Sequence, residues 1–160
     1  MKKCAIIGHR KIVVTNDLKE KIKNVIINLI TVEKVSIFIF GSKSMFDDLC
    51  YEIVTELKKD FPMIYREQIR AEYPVVSEEY YNYLKRFYEN SYYYDKDFKT
   101  GKLSYIKRNE VMINKSDICL FYCNHNYSPK KQTASGTILA FNYATLKNKQ
   151  IINLFEDNTF

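Results

Sequence analysis

The chain has 160 residues, 46% of them hydrophobic and 28% charged, a balance typical of folded globular proteins and not of disordered ones. Its 25 Lys and Arg residues exceed its 19 Asp and Glu residues, and the formal net charge of +6 favours an anionic partner, whether nucleotide, nucleic acid or lipid surface. The sequence contains no apolar stretch of about 18 residues, the length that a transmembrane helix requires.

The first residues and the cysteines together predict a reducing compartment. Two lysines precede an apolar run that is too short for a signal peptide, so we expect a cytoplasmic protein. Cys119 and Cys123 would lie about 13 Å apart on one strand, too far for a disulfide. The four cysteines form no CxxC pair, and His9 and His125 lack ligand spacing. We therefore predict buried, reduced thiols, no metal site and no bound cofactor.

Apolar runs and amphipathic helical patterns alternate along the chain. Buried strands are predicted over 4–7, 35–40, 63–69, 118–123 and 151–154. Helices are predicted over 18–30, 46–57, 78–90, 103–115 and 135–146. Asn16 or Asp17 is the candidate N-cap of the first helix, and Ser44 is that of the second.

The region 72–105 is the least regular part of the pattern. Ten of the 14 tyrosines fall between Tyr65 and Tyr105, and the run Tyr92-Tyr93-Tyr94 is interpreted as a loop. Elsewhere the alternation of strands and helices, with strands apolar on both faces, indicates a parallel sheet covered by helices. We predict one α/β domain over 1–160, a Rossmann-like three-layer sandwich with a mostly parallel sheet.

Three of the four glycines stand where a strand leads toward a helix. Gly8, Gly41 and Gly136 would all lie at the carboxyl edge of a parallel sheet, where open α/β folds bind ligands. Glycine there allows a ligand to approach the backbone, and the following helix start offers free N–H groups to a phosphate. Tight turns also favour glycine for purely structural reasons. The shared edge nevertheless favours a phosphate or nucleotide site.

Polar neighbours of these glycines extend the candidate site. His9 and Arg10 follow the first strand, and Arg10 could pair with a phosphate. Ser42, Phe46 and Asp47 follow the second, and Asp47 could accept hydrogen bonds from a ribose. A GxGxxG fingerprint is missing, which disfavours a hydride-transferring NAD enzyme.

The motifs Arg108-Asn109, Ser116-Asp117 and Ser135-Gly136-Thr137, in this order, resemble those of the SLOG superfamily, which includes the Smf/DprA proteins and the "Lonely guy" phosphoribohydrolases. The carboxyl-terminal half carries Arg108-Asn109, then Ser116-Asp117, an apolar strand and Ser135-Gly136-Thr137. Gly8-His9-Arg10 and Phe46-Asp47 look most like the small YpsA-like branch. The resemblance implies a nucleotide-binding Rossmann-like fold in which Ser135, Gly136 and Thr137 cradle a phosphate and Arg108 faces the ligand.

One departure from the enzymatic relatives bears on catalysis. Glutamates follow the phosphate loop in the phosphoribohydrolases, whereas Leu139 and Ala140 stand there in this chain. Cleavage of an N-glycosidic bond needs a carboxylate, which would have to come from Asp47, Glu67 or Glu110. The sequence therefore leaves enzymatic activity open and ranks binding above it.

Three functions remain as hypotheses. The main one is binding or sensing of a small nucleotide-derived ligand, such as a nucleoside phosphate or an ADP-ribose- or NAD-like molecule. The first alternative is a nucleotide N-glycosidic-bond hydrolase or transferase. The further alternative is DprA-like binding of single-stranded nucleic acid, for which the Tyr-, Lys- and Arg-rich stretch 80–107 could supply stacking rings. The same tyrosines could pack a subunit interface, so a homo-oligomer is expected, and no membrane partner is.

Overall fold

The computed structural model describes residues 1–41, 44–94, 101–127 and 135–156. The strands are β1 (Lys2–Gly8), β2 (Val35–Phe40), β3 (Tyr65–Arg70), β4 (Asn90–Tyr93), β5 (Ile118–Tyr122) and β6 (Gln150–Asn153). The helices are α1 (Asn16–Thr31), α2 (Met45–Leu57), α3 (Glu78–Leu84), α4 (Gly101–Lys115) and α5 (Gly136–Leu146). Among the described residues, no helix is long and apolar enough to cross a membrane.

The strands form one parallel sheet in the order β4-β3-β2-β1-β5-β6. The chain builds outward from β1 to β4, then returns to place β5 on the other side of β1, where Ala5 pairs with Cys119. This topology confirms the predicted Rossmann-like fold. It also creates a crevice between the carboxyl ends of β1 and β5, the place where such sheets usually bind ligands.

Two apolar cores, one on each face of the sheet, give the three layers. One core joins α1 and α2 to the sheet through buried side chains such as Ile26, Phe38 and Phe46. The other joins α4 and α5 to it through Met112 and Ala144, among others. Burial of both faces explains why the central strands are apolar throughout. Helix α3 buries only Leu84 and lies outside both cores.

The helix starts confirm one predicted cap and correct another. Ser44 caps α2, accepting a hydrogen bond from the N–H of Asp47 at 2.9 Å. At α1, however, the cap is Thr15, whose hydroxyl accepts from the N–H of Leu18 at 3.1 Å. The prediction of Asn16 or Asp17 was therefore wrong by one residue. Thr15 has the extended backbone that an N-cap requires, whereas Asn16 already belongs to the helix.

The predicted elements differ most from the structure at β4, a strand at one side of the sheet. Tyr92 and Tyr93, two residues of the run that was interpreted as a loop, form the second half of β4 and pair with Ile69 and Arg70 of β3. Aromatic residues favour strands, and this pairing outweighs the polar sequence around them. Because β4 begins at Asn90, the preceding helix is confined to Glu78–Leu84.

The state of the four cysteines agrees with the prediction of buried, reduced thiols. All four are free and buried. Burial raises the pKa of Cys123 to about 11, and it raises the pKa of Cys4 as well. Both thiols are therefore protonated at neutral pH and poor nucleophiles.

Candidate functional site

A pocket of about 190 Å³ opens at the carboxyl ends of β2 and β3, between the start of α2 and the helix α4. Its charged lining consists of the arginines Arg10, Arg70 and Arg108 and the carboxylates Asp47, Asp48 and Glu72. Its aromatic lining consists of Phe40, Tyr51, Tyr73, Tyr80, Tyr88 and Tyr105. Of the predicted site residues, the pocket brings together Arg10, Gly41, Asp47 and Arg108. Ser42 lies outside the described residues.

Arg108 reaches the pocket from α4 but is largely held by the protein. Its side chain is buried, its Nη1 donates to the carbonyl of Ile69 at 3.3 Å, and its Nε donates to Asn109 Oδ1 at 2.9 Å. Burial lowers the pKa of Arg108 to about 10, so the guanidinium remains charged at neutral pH. Asp47 and Glu72 oppose that shift, and their charges offset that of Arg108.

Asp47 is a buried carboxylate on the first turn of α2. Its Oδ2 accepts a hydrogen bond from the N–H of Gly41 at 3.4 Å. Burial raises the pKa of Asp47 to about 7, although the charge of Arg108 and the hydrogen bond with Ser44 counteract the rise. The pocket therefore contains a carboxyl group that changes charge near neutral pH.

Arg70, the last residue of β3, was not singled out by the sequence analysis. Its Nε and Nη1 are buried and have no hydrogen-bond partner within the described part of the chain. Unpaired buried donors are costly, and a guanidinium in this state is suited to bind an oxyanion. Nearby, Glu72 is already engaged, because it accepts a hydrogen bond from the hydroxyl of Tyr105. The only sequence signal for Arg70 was its position at a strand end on the carboxyl edge.

Gly8 and Gly41 have packing reasons of their own. A Cβ at Gly8 would lie 2.3 Å from Cδ1 of Phe46, and one at Gly41 would lie 2.8 Å from Cζ of Arg108. Phe46 is fully buried in the core, so its ring is not available to a ligand. At Gly136, by contrast, a Cβ would meet nothing within 4 Å. The first two glycines thus allow a neighbouring side chain to approach.

The crevice between β1 and β5 contains His9 and the start of α5 with Ser135 and Thr137, whereas Asn109 lies on α4 beside Arg108. His9 Nε2 accepts a hydrogen bond from the N–H of Asn124 at 2.7 Å, and the ring stacks on Tyr127 with centroids 4.2 Å apart. Burial lowers the pKa of His9, so the ring is neutral at pH 7. The hydrogen-bond network then assigns the ring proton to Nδ1, which donates to the hydroxyl of Ser135 across 3.4 Å.

This tautomer prevents His9 from activating Ser135 as a nucleophile, because the nitrogen that faces the hydroxyl already carries a proton. Ser135 instead caps α5, and its Oγ accepts from the N–H of Thr137 at 3.2 Å. Thr137 is itself buried. The crevice is thus a paired network that positions the start of α5 against β1.

The other carboxylates considered for catalysis lie away from the pocket. Glu67 accepts a hydrogen bond from the hydroxyl of Tyr92 at 2.7 Å, and Glu110 pairs with Lys107 at 3.1 Å. Only Asp47, of the three candidates, lines the pocket. In the described ranges, no group of three or more His, Cys, Asp or Glu side chains is placed to hold a metal ion.

Two solved structures share this architecture. DNA processing protein A (DprA) from Streptococcus pneumoniae superposes with a TM-score of 0.63 over 98% of this chain and 51% of that one, at 13% identity. DprA from Helicobacter pylori gives a TM-score of 0.65 over 99% of this chain and 67% of that one, at 18% identity. The chain has the DprA fold. DprA proteins belong to the SLOG superfamily, the group whose motifs this sequence resembles.

The match is one of structure only. No protein-family model and no curated protein sequence matches the chain. The chain spans about half the length of the Streptococcus pneumoniae protein, since 51% of that protein is covered.

These comparisons correct the main functional prediction. A sensor of a small nucleotide-derived ligand was expected, yet the structural neighbours are DNA-processing proteins, and the Helicobacter pylori protein binds single-stranded DNA. The prediction was wrong because the glycine turns that suggested a phosphate cradle have other roles. Gly8 and Gly41 accommodate Phe46 and Arg108, and Ser135 caps a helix. Single-stranded DNA, the ligand of the Helicobacter pylori protein, is the ligand class that the further alternative named.

Proposed function

We propose that this chain binds single-stranded DNA through the pocket at the ends of β2 and β3. The observation that carries the proposal is the guanidinium of Arg70, whose buried Nε and Nη1 have no partner among the described residues. An oxygen of a DNA phosphate would accept a charge-assisted hydrogen bond from one of these donors, which point to different sides of the guanidinium. Bound phosphate would thereby satisfy a buried donor that has no partner among the described residues.

The charges of the pocket support one strong phosphate contact and not a broad basic surface. Arg108 is offset by Asp47 and Glu72, whereas Arg70 is not engaged in this way, and Arg10 stands exposed at the rim. The net charge of +6 then adds a general attraction for the DNA backbone. Affinity should therefore depend on Arg70 more than on any other cation of the pocket.

The aromatic lining supports a single strand over a duplex. Tyr51 and Tyr88 stand with ring centroids 5.2 Å apart, and Tyr73, Tyr80 and Tyr105 complete the wall. Aromatic rings stack on the faces of unpaired bases without regard to sequence. In a duplex those faces are covered by neighbouring base pairs, so the tyrosine rings could not stack on them.

In this proposal the chain acts as one SLOG-like unit over 1–160. The YpsA-like assignment, which rests on Gly8-His9-Arg10 and Phe46-Asp47, stays a prediction, as does assembly into a homo-oligomer. The Helicobacter pylori protein supplies the precedent for the ligand. Other activities of the longer DprA proteins are not carried over, because this chain matches only part of their length.

The test is the variant Arg70→Gln, which removes the charge while keeping a polar side chain. Binding of a fluorescein-labelled oligothymidylate, followed by anisotropy, should weaken about tenfold or more, since a charge-assisted hydrogen-bonded contact is lost. The matched control is Lys23→Gln on the exposed side of α1, which makes the same charge change away from the pocket. A duplex competitor should displace the labelled strand poorly. Equal affinity of Arg70→Gln and wild type would contradict the proposal.

A further inference from the structure

Four exposed aromatic rings form a row that begins at the pocket and continues along α3. The members are Tyr73, Tyr80, Tyr83 and Phe87, which are 60%, 40%, 49% and 40% exposed. Ring centroids of successive members lie 6.4, 6.0 and 5.1 Å apart. We call this set the aromatic row. Tyr73 and Tyr80 also line the pocket, so the row and the pocket are continuous.

Contacts outside the row hold α3 and the segment after it. Leu84 supplies the buried contact of that helix, and Ser77 caps it by accepting a hydrogen bond from the N–H of Tyr80 at 3.1 Å. The segment after it is anchored by the hydroxyl of Tyr51, which donates to the carbonyl of Phe87 at 2.7 Å. The four rings thus expose apolar faces on a support that other residues fix.

We infer that the aromatic row is a base-stacking track for consecutive unpaired bases of the strand whose phosphate is bound by Arg70. The inference rests on the proposed function. It adds a binding site for the nucleotides of the same strand that lie outside the pocket. Aromatic side chains that line single-strand grooves act in this way, and every base offers a face to them. The track therefore selects unpaired DNA without selecting its sequence.

The spacing of the rings determines the conformation of the strand. Centroid separations of 5.1 to 6.4 Å exceed the ~3.4 Å between stacked bases, so the bases on the row are separated from one another, with one base to each ring. The planes of successive rings also turn, by 68°, 22° and 65°. A stiff helical stack cannot follow such turns, whereas an extended single strand can.

Charges beside the row nearly cancel. Lys85 and Arg86 are exposed at the end of α3, while Glu78 and Glu79 occupy its first turn. The row therefore contributes stacking and little attraction for phosphates. Its share of the affinity should be insensitive to salt, in contrast to the contact made by Arg70.

The test compares two tyrosines of equal exposure. Tyr83 of the row and Tyr65 at the amino end of β3 are both 49% exposed, so Tyr83→Leu and Tyr65→Leu remove matched rings. We expect Tyr83→Leu to weaken binding of an oligothymidylate by at least about fivefold, the lower range for one stacked base. Tyr65→Leu should bind as wild type does. An abasic oligonucleotide of equal phosphate number should bind both variants and wild type equally.

The outcomes separate this inference from the proposed function. If Arg70→Gln loses affinity and Tyr83→Leu binds as wild type does, the base-stacking role of the aromatic row is wrong and DNA binding in the pocket still stands. Failure of every oligonucleotide to bind would overturn both. A second copy of this chain is the competing occupant of the row. If Tyr83→Leu changed the sedimentation of the free protein and not its DNA affinity, the row would be a self-association surface and the inference would be wrong.

Discussion

The two halves of the carboxyl edge differ in how their polar groups are satisfied. In the β1–β5 crevice, His9 accepts from Asn124 and donates to Ser135, and Ser135 accepts from Thr137. In the pocket over β2 and β3, two donor atoms of Arg70 are buried without a described partner. One half is a completed network, and in the other two guanidinium donors have no hydrogen-bond partner among the described residues.

This difference shows that topology alone does not locate the site. The reversal of strand order beside β1 favours the crevice as the ligand position. The contacts favour the pocket, because buried guanidinium donors without acceptors are costly in the free protein and a bound anion would supply an acceptor. We therefore propose that the crevice contributes to fold stability and that the pocket binds DNA.

The largest expected effect concerns the pH dependence of Asp47. Its folded pKa, about 7, lies above the value of 3.8 for a free carboxyl group, so the folded state keeps a proton that the unfolded state releases. The free energy of unfolding should fall as the pH rises from about 4 to about 7, by up to a few kcal/mol. In Asp47→Asn this component should vanish, as thermal unfolding at a series of pH values would show.

The same carboxyl group should make DNA binding depend on pH. Protonated Asp47 removes a negative charge from the pocket, so oligothymidylate affinity of the wild type should rise as the pH is lowered from about 8 to about 6. The Asp47→Asn variant should bind with nearly constant affinity over that range. Parallel pH profiles of the two proteins would show that Asp47 does not face the bound strand.

A smaller effect is expected from the glycines. Gly8→Ala should lower the free energy of unfolding by about 1–3 kcal/mol, because the new methyl group overlaps the buried ring of Phe46. Gly136→Ala is the matched control and should be neutral or stabilising by up to about 1 kcal/mol, since its methyl group enters open space. Urea denaturation measures both. Equal losses would refute the packing role assigned to Gly8.

The smallest effect is expected from Ser135→Ala. Loss of the cap on α5 should cost about 1 kcal/mol of stability by urea denaturation. DNA affinity should not change, because the hydroxyl of Ser135 serves His9 and the N–H of Thr137. Reduced affinity in a stable, folded Ser135→Ala protein would indicate that DNA binds in the β1–β5 crevice and not in the pocket.

Much of the fold could be predicted because its signals are local. The runs that became β1, β2 and β5 are apolar on both faces, and the helices between them follow a helical period. The strand β4 was missed because its stability comes from pairing with β3, a partner distant in the sequence. Local polarity predicted a loop there, and tertiary pairing overrode it.

The site was less predictable than the fold. Arg108, Asp47 and Arg10 could be proposed since they follow glycine turns or a recognisable motif, and the pocket brings them together. Arg70 could not be singled out, because its importance lies in missing partners and only a three-dimensional structure reveals those. The tyrosines were noticed as a composition, but their order in a row depends on how α3 lies against the pocket.

The most direct test of the central claim is to titrate labelled oligothymidylate with Arg70→Gln and Ser135→Ala side by side. Anisotropy at one salt concentration and one pH would compare the two halves of the edge under the same conditions. We expect Arg70→Gln to lose about tenfold or more in affinity and Ser135→Ala to bind as the wild type does. The reverse pattern would contradict DNA binding in the pocket and would place the strand in the β1–β5 crevice.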